Sequence, residues 1–152
     1  MSHTSTVNAV RIVSIPALES AIASLNQRGV RCSLAQNVKP RAYFDNQQGM
    51  GVAPYVIKLD DASYDIGLYP ATDGNGYEAR TDFYTHNVRS VESVLGGRCT
   101  KAGNEAQAKL GKLYQEYGVA ATAMEARKKG LSVQRVEGAD GKIKLVLTGA
   151  TL

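Results

Sequence analysis

The chain has 152 residues, enough for one domain with its own core, and its 43% apolar and 21% charged residues are ordinary for a globular protein. Eighteen Lys and Arg against fourteen Asp and Glu leave a net charge of +4, so neither a disordered nor a collagen-like chain fits. Two cysteines, Cys32 and Cys99, are too few for a disulfide framework or a structural zinc site, no apolar run approaches the ~18 residues of a membrane span, and the first residues lack the pattern of a secretory signal. The expectation is a single domain over residues 1–152, cytoplasmic and off the membrane, with both thiols reduced.

Residues 4–14, rich in Val, Thr and Ile, predict a strand. Ser14 is the expected N-cap of a helix over 16–28, with Pro16 in its first turn and Glu19 at its positive end. Leu18, Ala21, Ile22 and Leu25 fall on one face of it. Gly29 supplies the left-handed stop, and residues 30–35 predict a second strand. Residues 37–54 hold Pro40, Gly49, Gly51 and Pro54 and predict a long loop with a short strand around 41–44. Strands over 55–59, 64–69 and 77–84 then form a meander, separated by turns at 60–63 and 70–76; Asp73-Gly74 and Asn75-Gly76 are turn dipeptides.

Alternation puts Tyr55, Ile57 and Leu59, Tyr64, Ile66 and Leu68, and Tyr77, Ala79, Thr81 and Phe83 toward a core. The opposite face, with Lys58, Asp65, Glu78, Arg80 and Asp82, is expected to be wet. A short helix at 88–95 leads to a longer one over 104–129, where Ala106, Leu110, Leu113, Tyr117, Ala120 or Ala121, and Met124 recur at helical spacing. Glu105–Lys109 and Lys112–Glu116 read as i, i+4 pairs on its outer face. A closing hairpin runs over 131–137 and 142–148. Ile22, Leu25, Ile57, Ile66, Leu68, Leu113, Leu145 and Leu147 are the expected core. The fold class is α+β: a mainly antiparallel sheet, in the order β-α-β, three-stranded meander, α, β-hairpin, with helices packed on one face.

Several stretches together carry a resemblance. They are Met1-Ser2-His3, Leu18-Glu19-Ser20-Ala21, Tyr64-Asp65-Ile66-Gly67-Leu68 followed by Asp73-Gly74 and Tyr77-Glu78, the late helix with Tyr114 and Tyr117, and Asp140-Gly141-Lys142-Ile143-Lys144-Leu145-Val146. In this order they resemble the family of hypothetical chloroplast reading frame 35, or domain of unknown function 1257, with members in plastids, cyanobacteria and bacteriophages. The chain departs from that pattern in its Gly-rich 45–54 loop and its Gly96-Gly97-Arg98-Cys99 insertion. The resemblance implies no catalytic residues. It implies an accessory role beside an AAA-type ATPase, and the two departures from the family's pattern resemble its phage-encoded members.

The residues themselves present no Walker loop, zinc spacing or nucleophile elbow. Gly49-Met50-Gly51 and Gly74-Asn75-Gly76 lack the strand–helix context of a phosphate loop. Cys99 lies beside the cations Arg98 and Lys101, which lower a thiol pKa, but no base adjoins it. Asp82 and His86 share a strand face about 13 Å apart, too far to pair directly. The acidic set Asp60, Asp61, Asp65, Asp73 and Glu78 sits in separate turns without a calcium-loop pattern. No catalytic residue, metal ligand or cofactor is expected.

Charge is uneven: residues 1–97 carry eight Lys and Arg against nine Asp and Glu, and residues 98–152 carry ten against five. The reading is a non-enzymatic interaction protein with a protein partner, with Arg41, Tyr43, Phe44, Arg80 and Arg98 as the contact residues. Two alternatives stand: a small-ligand or nucleotide module using those arginines, and, less favoured, nucleic-acid binding through the basic C-terminal third.

Overall fold

The structure, a computed structural model, describes residues 4–42, 51–85, 88–96, 108–139 and 143–149. Within them the chain forms β1 (Thr4–Ile12), α1 (Ile15–Gln27), β2 (Cys32–Val38), β3 (Ala53–Leu59), β4 (Ile66–Pro70) and β5 (Tyr77–Asp82). Then come α2 (Val91–Leu95), α3 (Gly111–Lys128), β6 (Leu131–Glu137) and β7 (Ile143–Gly149). Five strands make one antiparallel sheet in the order β1-β5-β4-β3-β2, and β6 and β7 make a second sheet of their own. The α+β class is as expected. The meander is four strands rather than three, because β2 pairs directly with β3, Cys32 against Leu59 through Val38 against Ala53.

β1 and β2 therefore run in the same direction on opposite edges, and α1 carries the chain from one to the other across the sheet. Its entry is fixed twice over. Ser14 caps it by accepting from Ala17 N at 3.2 Å, and the Tyr117 hydroxyl of α3 accepts from Val13 N and Ser14 N at 2.9 and 3.0 Å. Glu19 stands beyond the first turn and does not meet the helix's positive end. β1 closes the sheet against β5, with a register shift between Val7 and Ile12. The turn before β5 needs glycine at 76: φ is +77°, and a Cβ there would sit 2.8 Å from the Ile12 carbonyl oxygen.

The core lies between this sheet and the helices. Leu18, Ala21, Ile22 and Leu25 of α1 and Leu113, Tyr114 and Tyr117 of α3 pack on Ile57, Leu59, Ile66, Leu68 and Ala79. Six of the eight expected core residues are buried. Leu145 is only half-buried and Leu147 is 46% exposed, because the hairpin lies outside this core rather than closing it.

Two further expectations are corrected. The far face of the sheet is not uniformly wet: Asp65, Glu78 and Asp82 are buried, and Ala53, Val56 and Tyr69 form a small apolar cluster of their own. Glu116 is not on an outer face paired with Lys112; it is 4% exposed and turned toward the hairpin. Residues 41 and 42 are not in a strand, and the rest of the expected 41–44 strand lies outside the described residues, as do residues 104–107 of the expected late helix.

Candidate functional site

Of the contact residues expected from sequence, Arg41 and Arg80 are described, and Tyr43, Phe44 and Arg98 lie outside the described residues. Arg41 is committed to the fold. Its backbone N–H donates to Asp65 Oδ2 at 2.9 Å, and its Nη2 donates to Asp65 Oδ1 at 2.8 Å and to the carbonyls of Leu59 and Ala62 at 2.7 and 3.1 Å. Asp65 N–H donates back to the Arg41 carbonyl at 3.0 Å. A fully buried carboxylate needs a cation and several donors, and Arg41 supplies most of them while clamping the turn between β3 and β4.

Arg80 sits two residues along the register, opposite Gly67 on β4. Its guanidinium lies 4.6 Å from the centre of the Tyr69 ring. That ring folds back over Gly67, where a Cβ would come within 2.6 Å of it, and the Tyr69 hydroxyl donates to the Gly51 carbonyl at 2.7 Å. Burial pushes the Tyr69 hydroxyl pKa up, against the opposing pull of Arg80. The structure thus brings Arg41 and Arg80 to neighbouring positions. Both already have work in holding the far face and the ends of the 43–50 segment.

The other candidates resolve individually. Asp61 pairs with Arg31 and Asp65 with Arg41, while Asp73 and Glu78 share Arg11, so the acidic set is spread over three arginines. Gly74-Asn75-Gly76 is a tight turn, closed by Gly74 N–H to the Ala71 carbonyl at 2.9 Å and Asn75 N–H to Asp73 Oδ1 at 3.0 Å. Asp82 is buried and accepts from Tyr84 N at 2.9 Å; His86 and Cys99 lie outside the described residues. Cys32 is a buried free thiol whose pKa burial pushes up to about 11. Among the described residues no group of three or more His, Cys, Asp or Glu is placed to hold a metal ion.

A site missed by sequence reasoning is the junction of the hairpin with α1 and α3. Arg135 of β6 forks onto Glu116, Nη1 to Oε1 at 2.6 Å and Nη2 to Oε2 at 2.7 Å. Ser24 of α1 donates to Oε1 at 2.6 Å, and Arg28 joins the cluster through Glu137 at 2.6 Å. Burial works to raise the Glu116 pKa, but the bonds from Arg135 and Ser24 outweigh it and hold the carboxyl below its ordinary range. Clefts of about 220 and 200 Å³ open on the two sides of this pair. One is lined by Arg28, Lys112 and Ile143, the other by Val119, Ala123 and Leu145.

Beyond the junction, the outer side of the hairpin exposes Val136 (42%) and Val146 (37%), while Leu147, also exposed, lies on the opposite row, paired with Val133. A sequence signal for the junction existed. Arg135 interrupts the alternating row Leu131-Val133, and Glu116 interrupts the helical row with Ala120 and Ala123; each misplaced charge explains the other.

Neither a family model nor a curated protein nor a solved structure matches the chain.

Proposed function

We propose that the protein is a non-enzymatic interaction module that docks on another protein through its C-terminal hairpin. One observation carries this reading. Of the five large apolar side chains exposed beyond a third among the described residues, three, Val136, Val146 and Leu147, sit on β6 and β7. Among the described residues β6 and β7 pair only with each other, which leaves backbone edges of the kind that accept an added strand from a partner. The resemblance to the reading frame 35 family makes an AAA-type ATPase the first partner to try.

The test is binding of the full chain to such an ATPase from the same genome, by interferometry, for wild type, Val136→Lys with Val146→Lys, and Arg80→Ala. Docking through the hairpin predicts at least a tenfold loss, about 1.4 kcal/mol, in the double variant at unchanged melting temperature. A loss confined to Arg80→Ala moves the contact to the far face of the sheet. No binding by wild type removes this partner.

A further inference from the structure

The hairpin adds nothing to the main core. That cluster draws on β1 to β5 and all three helices, and no residue of β6 or β7 belongs to it even at its margin. No residue of β6 or β7 is fully buried; the row facing the helices, Leu131, Val133, Arg135, Ile143 and Leu145, is half-exposed. A charged cluster joins this row to the helices: Arg135 on Glu116 and Arg28 on Glu137. The two clefts on either side of Glu116 show how little apolar surface fills the junction.

Such a junction differs from a core in what opening it costs. Lifting an apolar face exposes hydrocarbon to water, whereas Arg28, Arg135 and Glu137 already reach solvent and regain hydration as they part. The closed state also holds the Arg135 Nε buried without a hydrogen-bond partner, a penalty that opening removes. The connection suits a hinge. α3 runs straight into β6 through Gly130, which takes φ +79°, a conformation few other residues hold without strain.

We propose that β6 and β7 form a flap that lifts off the helical layer as a unit while the five-stranded sheet and its helices stay folded, with the Arg135–Glu116 pair as the latch. Opening uncovers Val119, Ala120 and Ala123 of α3 together with Val133 and Leu145 of the flap. The closed form covers them in part, leaving Val119, Val133 and Leu145 half-exposed along the cleft. An isolated two-stranded hairpin is marginally stable in water, so the lifted flap loses amide protection while the sheet keeps its own. The inference concerns the free protein and does not depend on what it docks to.

Native-state hydrogen exchange on the full chain, read by mass spectrometry, tests it in wild type, Glu116→Gln and Arg28→Ala. The amides bonded between β6 and β7 should exchange at least tenfold faster in Glu116→Gln, and faster to a lesser degree in Arg28→Ala, with β3 to β5 unchanged. If Glu116→Gln does not fold, wild type in sub-denaturing urea decides. A flap gives hairpin amides a weaker urea dependence than sheet amides, because less surface is exposed in its opening. Hairpin and sheet amides exchanging in step, with equal urea dependence, would overturn the proposal.

Discussion

Glu116 shows how one buried charge is held. Its carboxylate accepts from Arg135 of β6 and Ser24 of α1, and Arg28, just past the end of α1, stands within 3.7 Å; Glu137 of β6 and Lys112 of its own helix complete the charged surroundings. Burial alone would raise its pKa, yet the bonds lower it from an ordinary value of 4.5. The sign follows. A carboxyl depressed in the folded state stabilises at pH above its ordinary value, and that contribution is lost as pH falls through the folded value. Acidification below about 4.5 should therefore loosen the hairpin first. Methyl resonances of Val133 and Leu145 should shift before those of Ile57 and Leu68; simultaneous loss of all four would count against it. Cys32 presents the opposite case. Burial, with Asp60 nearby, pushes its thiol up to about 11, so roughly one molecule in a thousand carries a thiolate at pH 8. Iodoacetamide should leave the Cys32 peptide unmodified in the native chain and alkylate it after unfolding. Rapid native labelling would contradict the burial.

At the scale of elements, α3 works on two sides. Leu113 and Tyr117 face the sheet, while Glu116, Ala120 and Ala123 face the hairpin. The two sides differ in kind, one dry and close-packed, the other charged and gapped, and substitutions should separate them. Leu113→Ala removes a fully buried side chain and should cost about 2–5 kcal/mol in urea unfolding, the transfer loss plus a cavity. Leu147→Ala removes a side chain 46% exposed and should cost about 0.5 kcal/mol or less. Equal costs would mean that the hairpin is as much a part of the core as α3 is.

For the whole molecule the governing feature is how the sheet closes. β1 leaves at one edge, α1 crosses, β2 to β5 return strand by strand, and Thr4 meets Asp82. The edge pairing joins segments almost the full length of the sheet region apart, so a large loop must close before those contacts form. Folding followed by stopped-flow fluorescence of the tyrosines should take milliseconds to seconds, the range of non-local sheets; microsecond folding would mean that closure by β1 is not limiting. Among the described residues no helix is long and apolar enough to cross a membrane.

What depends on neighbours in sequence was readable from sequence. The Ser14 cap, the Leu18-Ala21-Ile22-Leu25 face and the alternation of Tyr55-Ile57-Leu59 are local, because helix and strand periods act within a few residues. The core followed wherever alternation and burial coincide, at Ile57, Ile66, Leu68 and Leu113. Pairing between distant segments was decided by the tertiary structure alone. Asp65, Glu78 and Asp82 alternate like solvent-facing residues, and no local pattern reveals that Arg41 folds back to satisfy Asp65. Leu145 and Leu147 alternate like core residues, yet the hairpin was left to stand on a charged junction. Glu116 has a nearby Lys112 at helical spacing, but its partner is Arg135, nineteen residues on, because a buried carboxylate takes the forked guanidinium that reaches it from the facing strand.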